Sequence, residues 1–206
     1  MAFTNLLVRT ENGVKETTSL ALAMAIAAVA VPAHGATTSF EIDPSHTWVF
    51  YEIVHFGTST NRGRLAVKAG TVQLDAQSKT GKVDVTIDTT APASGVPALD
   101  KMLQGERLFR SNEFPTARFV ADEVRFEADK PVELKGELTL LGATHPVVLK
   151  SLRYNCFNHA MLKRDVCGGD FETTIARSRW GMGWGGHIVS DEVRLLIQIE
   201  AVKQAN

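Results

Sequence analysis

The 206-residue chain is short of several things, and each shortage excludes a class of protein. Neither charge sign dominates: 22 Lys and Arg stand against 23 Asp and Glu, a formal net charge of -1. No basic excess is available to track a phosphate backbone, so nucleic acid is not an expected partner. Gly (16) and Pro (7) are near ordinary usage, which excludes a low-complexity chain or a linker-rich array. No uncharged run beyond residue 31 approaches the roughly 20 apolar residues a membrane-spanning helix needs. The chain also lacks a Gly-x-Ser-x-Gly elbow, a His-Glu-x-x-His pair, a phosphate loop and a calcium loop. Gly181-Met182-Gly183-Trp184-Gly185-Gly186 matches a dinucleotide fingerprint by letter. His187-Ile188-Val189-Ser190 and a further strand pattern follow it, however, with no helix whose amino end could hold a pyrophosphate, so it reads as a flexible loop. The six histidines do not fall at metal-ligand spacings, and no metal or cofactor site is expected.

What is present begins with an amino-terminal signature. Ser19 to Val31 carry no charge, follow a stretch containing Arg9 and Lys15, and precede the small-residue run Ala33-His34-Gly35-Ala36. This is a secretory signal pattern, too short to span a bilayer as a helix. Cleavage after Gly35 assigns residues 1–35 to the signal and residues 36–206 to one domain, in an oxidising, periplasmic setting and with no transmembrane anchor after cleavage. An interfacial anchoring helix is the alternative, since Glu11 and Glu16 dilute the positive flank.

From Ser39 onward the dominant period is two. Lys82-Val83-Asp84-Val85-Thr86-Ile87-Asp88 alternates without a fault, Leu134 to Leu140 repeats the pattern around Gly136, and Val193 to Glu200 does so with one lapse at Leu196. Further strands are expected at 46–56, 62–68, 70–75, 116–126, 146–154 and 170–177. Turns are expected at Ala69-Gly70, Ser78 to Gly81, Asp129-Lys130-Pro131 and Gly142 to Pro146. One helix is expected, Pro97 to Phe109, with Leu99, Met102, Leu103 and Phe109 near one face and Ser94 as a cap. Strands without alternating helices give an all-β domain, an antiparallel sandwich or barrel.

The segment His46 to Phe56 is apolar on both faces. One set is Thr47, Val49, Tyr51, Ile53 and His55; the other includes Trp48, Phe50, Val54 and Phe56. A strand with one core face has no need of the second set, so a further apolar layer is required: the helix, a partner subunit, or an enclosed cavity.

Cys156 and Cys167, the two cysteines, enclose ten residues, and in an oxidising compartment such a pair is expected to close as a disulfide. A metal site adding His159 remains as an alternative, although it lacks the paired short spacings usual for zinc. Arg177 and Arg179 beside Trp180 are candidates for gripping a polar head group. The common alternative use of such residues is an arginine stem packed on an aromatic ring.

These pieces, taken in order, resemble a known family. Asp43-Pro44-Ser45-His46-Thr47-Trp48-Val49-Phe50, His55-Phe56-Gly57 with Arg62-Gly63-Arg64, and Asn112-Glu113-Phe114-Pro115 with Phe119 come first. Gly136 to Val147 and Ile175-Ala176-Arg177-Ser178 with Gly181-Met182 complete a pattern similar to the YceI-like family over essentially the whole chain after residue 36. The cysteines with Cys167-Gly168-Gly169-Asp170 resemble a periplasmic branch of that family. The resemblance implies an extended, lipocalin-like antiparallel β-barrel with one short helix covering part of it, and a lumen that accommodates an isoprenoid chain. Thr47, Val49, Tyr51, Ile53 and His55 would form the inward set of the first long strand. Val83, Val85, Ile87, Phe119, Leu138, Leu140, Leu195 and Ile197 are the further lumen candidates. Thr47 and Tyr51 stand where the family more often has Ser and Phe, and a tyrosine hydroxyl in an apolar lumen needs a partner.

The expected function is therefore a periplasmic binding or carrier protein for an isoprenoid lipid or quinone, not an enzyme. Burying a five-carbon prenyl unit should contribute about 3 to 4 kcal/mol at about 0.8 per carbon, against about 8 kcal/mol for micromolar binding. Two alternatives stay open: an enzyme acting on such a lipid with His55 or His145 as acid or base, and a homodimerising module whose apolar surplus forms an interface.

Overall fold

A computed structural model describes residues 1, 2 and 37–205. The expected secretory segment lies outside the described residues except for its first two positions. Nine strands follow: β1 (Thr38–Ile42), β2 (Trp48–His55), β3 (Ser59–Asp75), β4 (Thr80–Asp88), β5 (Thr116–Glu127), β6 (Lys130–Leu140), β7 (Ala143–His159), β8 (Arg164–Ala176) and β9 (Val189–Lys203). One helix, α1 (Pro97–Gln104), lies between β4 and β5, and a 3-10 turn, Arg177–Trp180, follows β8.

All pairings are antiparallel, and the order β3-β2-β9-β8-β7-β6-β5-β4 returns to β3, so the sheet closes as a barrel. Closure removes the open edges that would otherwise recruit other chains. β1 and β2 act as one interrupted strand. β2 lies between the first half of β3 and Val189–Gln198 of β9, while β1 occupies the same slot further along, between Thr71–Leu74 of β3 and Ala201–Lys203 of β9. Thr47 bridges the interruption: its hydroxyl donates to the Glu200 carbonyl at 3.2 Å and accepts from the Glu200 N–H at 3.1 Å, a side-chain substitute for strand pairing.

Alternation sets the inner face. Val83, Val85 and Ile87 of β4 are buried while Lys82 and Asp84 face outward, with Asp84 paired to Arg118 of β5. The same period buries Ala117, Phe119 and Ala121 of β5.

Several expectations need correction. Ala69-Gly70 is not a turn: β3 runs through it, bending where the register on β4 shifts between Val67 and Ala69. A bulge satisfies the same local chemistry as a turn without ending the strand. β7 and β8 extend past the expected limits to His159 and back to Arg164, as a long hairpin. The helix stops at Gln104 rather than Phe109, because the Gly105 N–H bonds the Met102 carbonyl and the chain turns, with Phe109 N–H returning to the Leu103 carbonyl. Val96, not Ser94, holds the N-cap position, and Asp100 reaches back instead, accepting from the Ser94 N–H at 2.7 Å and hydroxyl at 2.5 Å.

Candidate functional site

The interior is not filled by its own side chains. Two apolar chambers occupy it, one of about 110 Å³ and one of about 400 Å³. They share four wall residues, Val49, Ile87, Leu138 and Leu195, and so adjoin at a waist formed by those side chains. The larger volume falls in the usual range of roughly 300–1,000 Å³ for ligand sites.

All twelve lumen candidates line one chamber or both. Val83, Val85, Phe119 and Ile197 face the smaller chamber; Tyr51, Ile53, His55 and Leu140 face the larger; the remaining four form the waist. The inward set of β2 is therefore Thr47, Val49, Tyr51, Ile53 and His55, one continuous line of alternate residues spanning both chambers. On the outer face of β2, the Arg64 guanidinium lies 4.0 Å over the Trp48 ring, and Glu52 accepts from Arg62 and Arg194. The helix also contributes: Leu99, Met102 and Leu103 of α1 wall the larger chamber opposite β2.

The two tyrosines facing the lumen differ. The Tyr154 hydroxyl, in the smaller chamber, lies 3.4 Å from Cys156 Sγ. Tyr51 lines the larger chamber, but its hydroxyl is buried against Gly63 and has no hydrogen-bond partner among the described residues. Burial, with a smaller contribution from the Asp100 carboxylate of α1, pushes the Tyr51 phenol up to about 12. Its ring lies against the backbone of Gly63, its cross-strand partner on β3, where any Cβ would stand 2.2 Å from the hydroxyl.

The head-group candidates have other occupations. Arg177 is 4% exposed, and its guanidinium donates to the carbonyls of Ser190 (3.0 Å), Met182, Trp184 (2.8 Å) and Val189 (3.4 Å). Its donors thus tie the loop that the sequence presents as flexible, through Met182 and Trp184, to the start of β9, through Val189 and Ser190, and Arg177 holds that loop in place as part of the chamber wall. Gly181, with φ 82°, permits the left-handed turn that brings Met182 back over Arg177. Trp180 is 2% exposed, its indole N–H donating to the Leu138 carbonyl at 3.0 Å, which makes it core. Arg179 is exposed and stacks 5.5 Å over the Trp180 ring, the alternative use of such a pair. Arg177 and Trp180 are thus committed to partners within the protein, and Arg179 lines neither chamber.

Of the two candidate acid-base histidines, His55 lines the larger chamber, whereas His145 bonds the Arg179 carbonyl at 2.8 Å and packs edge-on against Trp180, outside the chamber walls. Cys156 and Cys167 are joined as a disulfide at directly paired positions of β7 and β8, which removes both thiolates from the alternative metal site with His159. Among the lining residues that sequence reasoning missed are Asn61 of β3, Phe109 after α1, and Met182, Trp184 and Ile188 of the loop. The apolar character of all but Asn61 was legible, but only the chain path brings them to the chamber.

The YceI-like domain family matches residues 40–201. Protein YceI of Shigella flexneri is 30% identical over 160 residues, a match covering 77% of this chain and 83% of that protein. Among solved structures, BcnA of Burkholderia cenocepacia superimposes with a TM-score of 0.59 at 20% identity, over 77% of this chain and 98% of that one. A polyisoprenoid binding domain from Saccharophagus degradans gives 0.59 at 11% identity, over 80% and 98%. The two structural likenesses carry the fold; the sequence match across nearly the whole barrel carries the relationship, and the chain belongs to the YceI-like family.

Proposed function

We propose that the protein is a periplasmic binding or carrier protein that holds the tail of an isoprenoid lipid or quinone in its lumen, acting by binding rather than by turnover. The observation that carries this reading is the pair of apolar chambers meeting at the waist of Val49, Ile87, Leu138 and Leu195. A flexible prenyl chain is the shape that would fit two adjoining apolar volumes, and its burial supplies affinity in proportion to the carbons removed from water. The polyisoprenoid binding named for the Saccharophagus degradans domain supports the same ligand class. The twelve lumen residues would contact the tail, with α1 and the Arg177-anchored loop covering it. Residues 1–35 would be a cleaved secretory signal, in keeping with the disulfide, and no helix among the described residues is long and apolar enough to cross a membrane.

The test is organic-solvent extraction of the natively purified protein followed by mass spectrometry. A co-purifying prenyl lipid or quinone is the expected result. Repeated lipid-free preparations that also fail to take up prenyl compounds would refute the reading.

A further inference from the structure

The β7–β8 hairpin outruns the barrel. The last pair joining β7 to β6 is Lys150 with Glu133, so from Ser151 to His159 β7 pairs with β8 alone, and β8 reaches β9 only from Val166, opposite Val202, onward. The Cys156–Cys167 disulfide staples the two strands at the root of the projecting part. The turn is held by the Lys163 N–H donating to the His159 carbonyl at 2.8 Å and the Leu162 N–H donating to His159 Nδ1 at 3.2 Å. On this tip Phe157 is 47% exposed, Met161 87% and Leu162 43%. The next two residues, Lys163 and Arg164, are exposed and form no ion pair among the described residues. Asp165, the acid beside them, is occupied by Lys203 at 3.7 Å and by the Asn158 amide at 3.1 Å. The other hairpin turns at that end of the barrel, 76–79 and 128–129, expose no large apolar side chain. Apolar side chains scattered singly over a surface are ordinary; three within six positions, beside two unpaired cations in a chain of net charge -1, are not.

We propose that this tip is a docking site for an anionic phospholipid bilayer, with Phe157, Met161 and Leu162 entering the interface and Lys163 and Arg164 meeting the lipid head groups. Apolar side chains sink to the boundary of the acyl region, while the stems of Lys and Arg lie along them and keep the charged ends among the phosphates. Each basic side chain near an anionic leaflet adds an attraction of its own. A second copy of the chain is a poorer match, because a symmetric contact between two tips would set Lys163 and Arg164 of one against the same cations of the other. A bilayer also asks for no shaped complement, which suits a turn too small to bury a stable protein interface. The tip lies at the end of the barrel away from α1 and the Arg177-anchored loop, and the inference does not depend on what the lumen holds.

Co-sedimentation of the natively purified protein with vesicles tests this, using phosphatidylcholine alone and an equal mixture of phosphatidylcholine and phosphatidylglycerol. The wild type should bind the mixed vesicles about tenfold more tightly than the neutral ones, and added salt should weaken the binding. Lys163→Gln with Arg164→Gln should remove most of that preference. Lys101→Gln with Lys150→Gln, which takes away two exposed cations elsewhere, should leave it intact. Met161→Ser with Leu162→Ser should weaken binding to the mixed vesicles roughly tenfold and leave Tm unchanged, because neither side chain belongs to the core. Met161→Trp gives a second readout: its emission should shift to the blue with mixed vesicles and stay where it is with neutral ones. Absence of binding, equal binding to the two kinds of vesicle, or tip variants that bind as the wild type does would overturn the proposal. So would a wild type that self-associates and becomes monomeric on the tip substitutions, which would give the tip to a second copy. These outcomes are separate from the solvent extraction that tests the carrier reading.

Discussion

Tyr51 and Gly63 face one another across β2 and β3, and the tyrosine ring occupies the space a side chain at 63 would need. A Cβ there would stand 2.2 Å from the hydroxyl and 2.4 Å from Cζ. Gly63→Ala should therefore displace Tyr51 into the chamber and destabilise the protein by about 1–3 kcal/mol, the usual range for overpacking. Because the contact is direct, Tyr51→Ala in the same chain should recover most of the loss. Denaturant unfolding of the two single variants and the double variant checks this, and strict additivity would count against the contact.

Arg177 is the keystone of the loop over the larger chamber. Arg177→Met removes the donors from four carbonyls, three of which, those of Met182, Trp184 and Val189, belong to chamber-lining residues. Stability should fall by about 2–4 kcal/mol, since buried carbonyls are left unpaired. Arg177→Lys should recover little, because an ammonium cannot reproduce a fork that reaches carbonyls on several sides. Hydrogen exchange at Gly181–Ile188 should accelerate in both variants, and unchanged protection there would contradict the assignment.

The disulfide joins positions already paired in the β7–β8 hairpin, with a sequence separation of 11. On the chain-entropy account, closing so short a loop contributes roughly 3 kcal/mol through the unfolded state. Unfolding with and without reductant should differ by about that amount. Alkylation without reductant should label neither cysteine.

The turn before β2 couples folding to pH. Asp43 accepts from the Ser45 hydroxyl at 2.6 Å and lies 2.8 Å from His46 Nδ1; the Ser45 hydroxyl first, and His46 after it, hold the carboxyl below its usual value. His46 is raised in turn, chiefly by its bond to Asp43. The lowered carboxyl stabilises the fold above its unfolded value of 3.8 and loses that contribution as pH falls through its folded value. The raised imidazole stabilises the fold below 6.5 and loses its contribution as pH rises through its folded value. The pair is thus worth most between about 3.8 and 6.5 and declines on either side. Since His46 is fully exposed, the effect is a small shift in Tm. The Tm difference between wild type and His46→Ala should shrink between pH 6 and pH 9, and a constant difference would refute the coupling.

How far the sequence foretold this structure follows from which interactions are local. Val83, Val85 and Ile87 could be placed on the inner face because period two is a property of seven consecutive residues. The inward line from Thr47 to His55 was readable for the same reason, but the covering layer expected for the outer set is not supplied by the chambers or α1: Arg64 lies over Trp48, while Val54 and Phe56 are exposed. The bend at Ala69 was misread because a bulge and a turn use the same small residues. The outer reach of β7 and β8, around Asn155 and Asp165, was missed because a hairpin carrying polar residues shows no hydrophobic alternation. Arg177 was misassigned because its partners lie 5 to 13 residues further along a loop whose path no pattern specifies. The missing partner of Tyr51 is a property of three-dimensional burial, although the tyrosine itself stood out as an oxygen in an apolar series.

The account's central claim is that the two chambers form one lumen for a prenyl tail. Titration of the wild-type protein with prenyl alcohols of increasing length tests it most directly. Affinity should climb with each added isoprene unit while the chain fills the larger chamber and passes the waist, then level off once both are full. Affinity that does not depend on length, or no binding at any length, would contradict it.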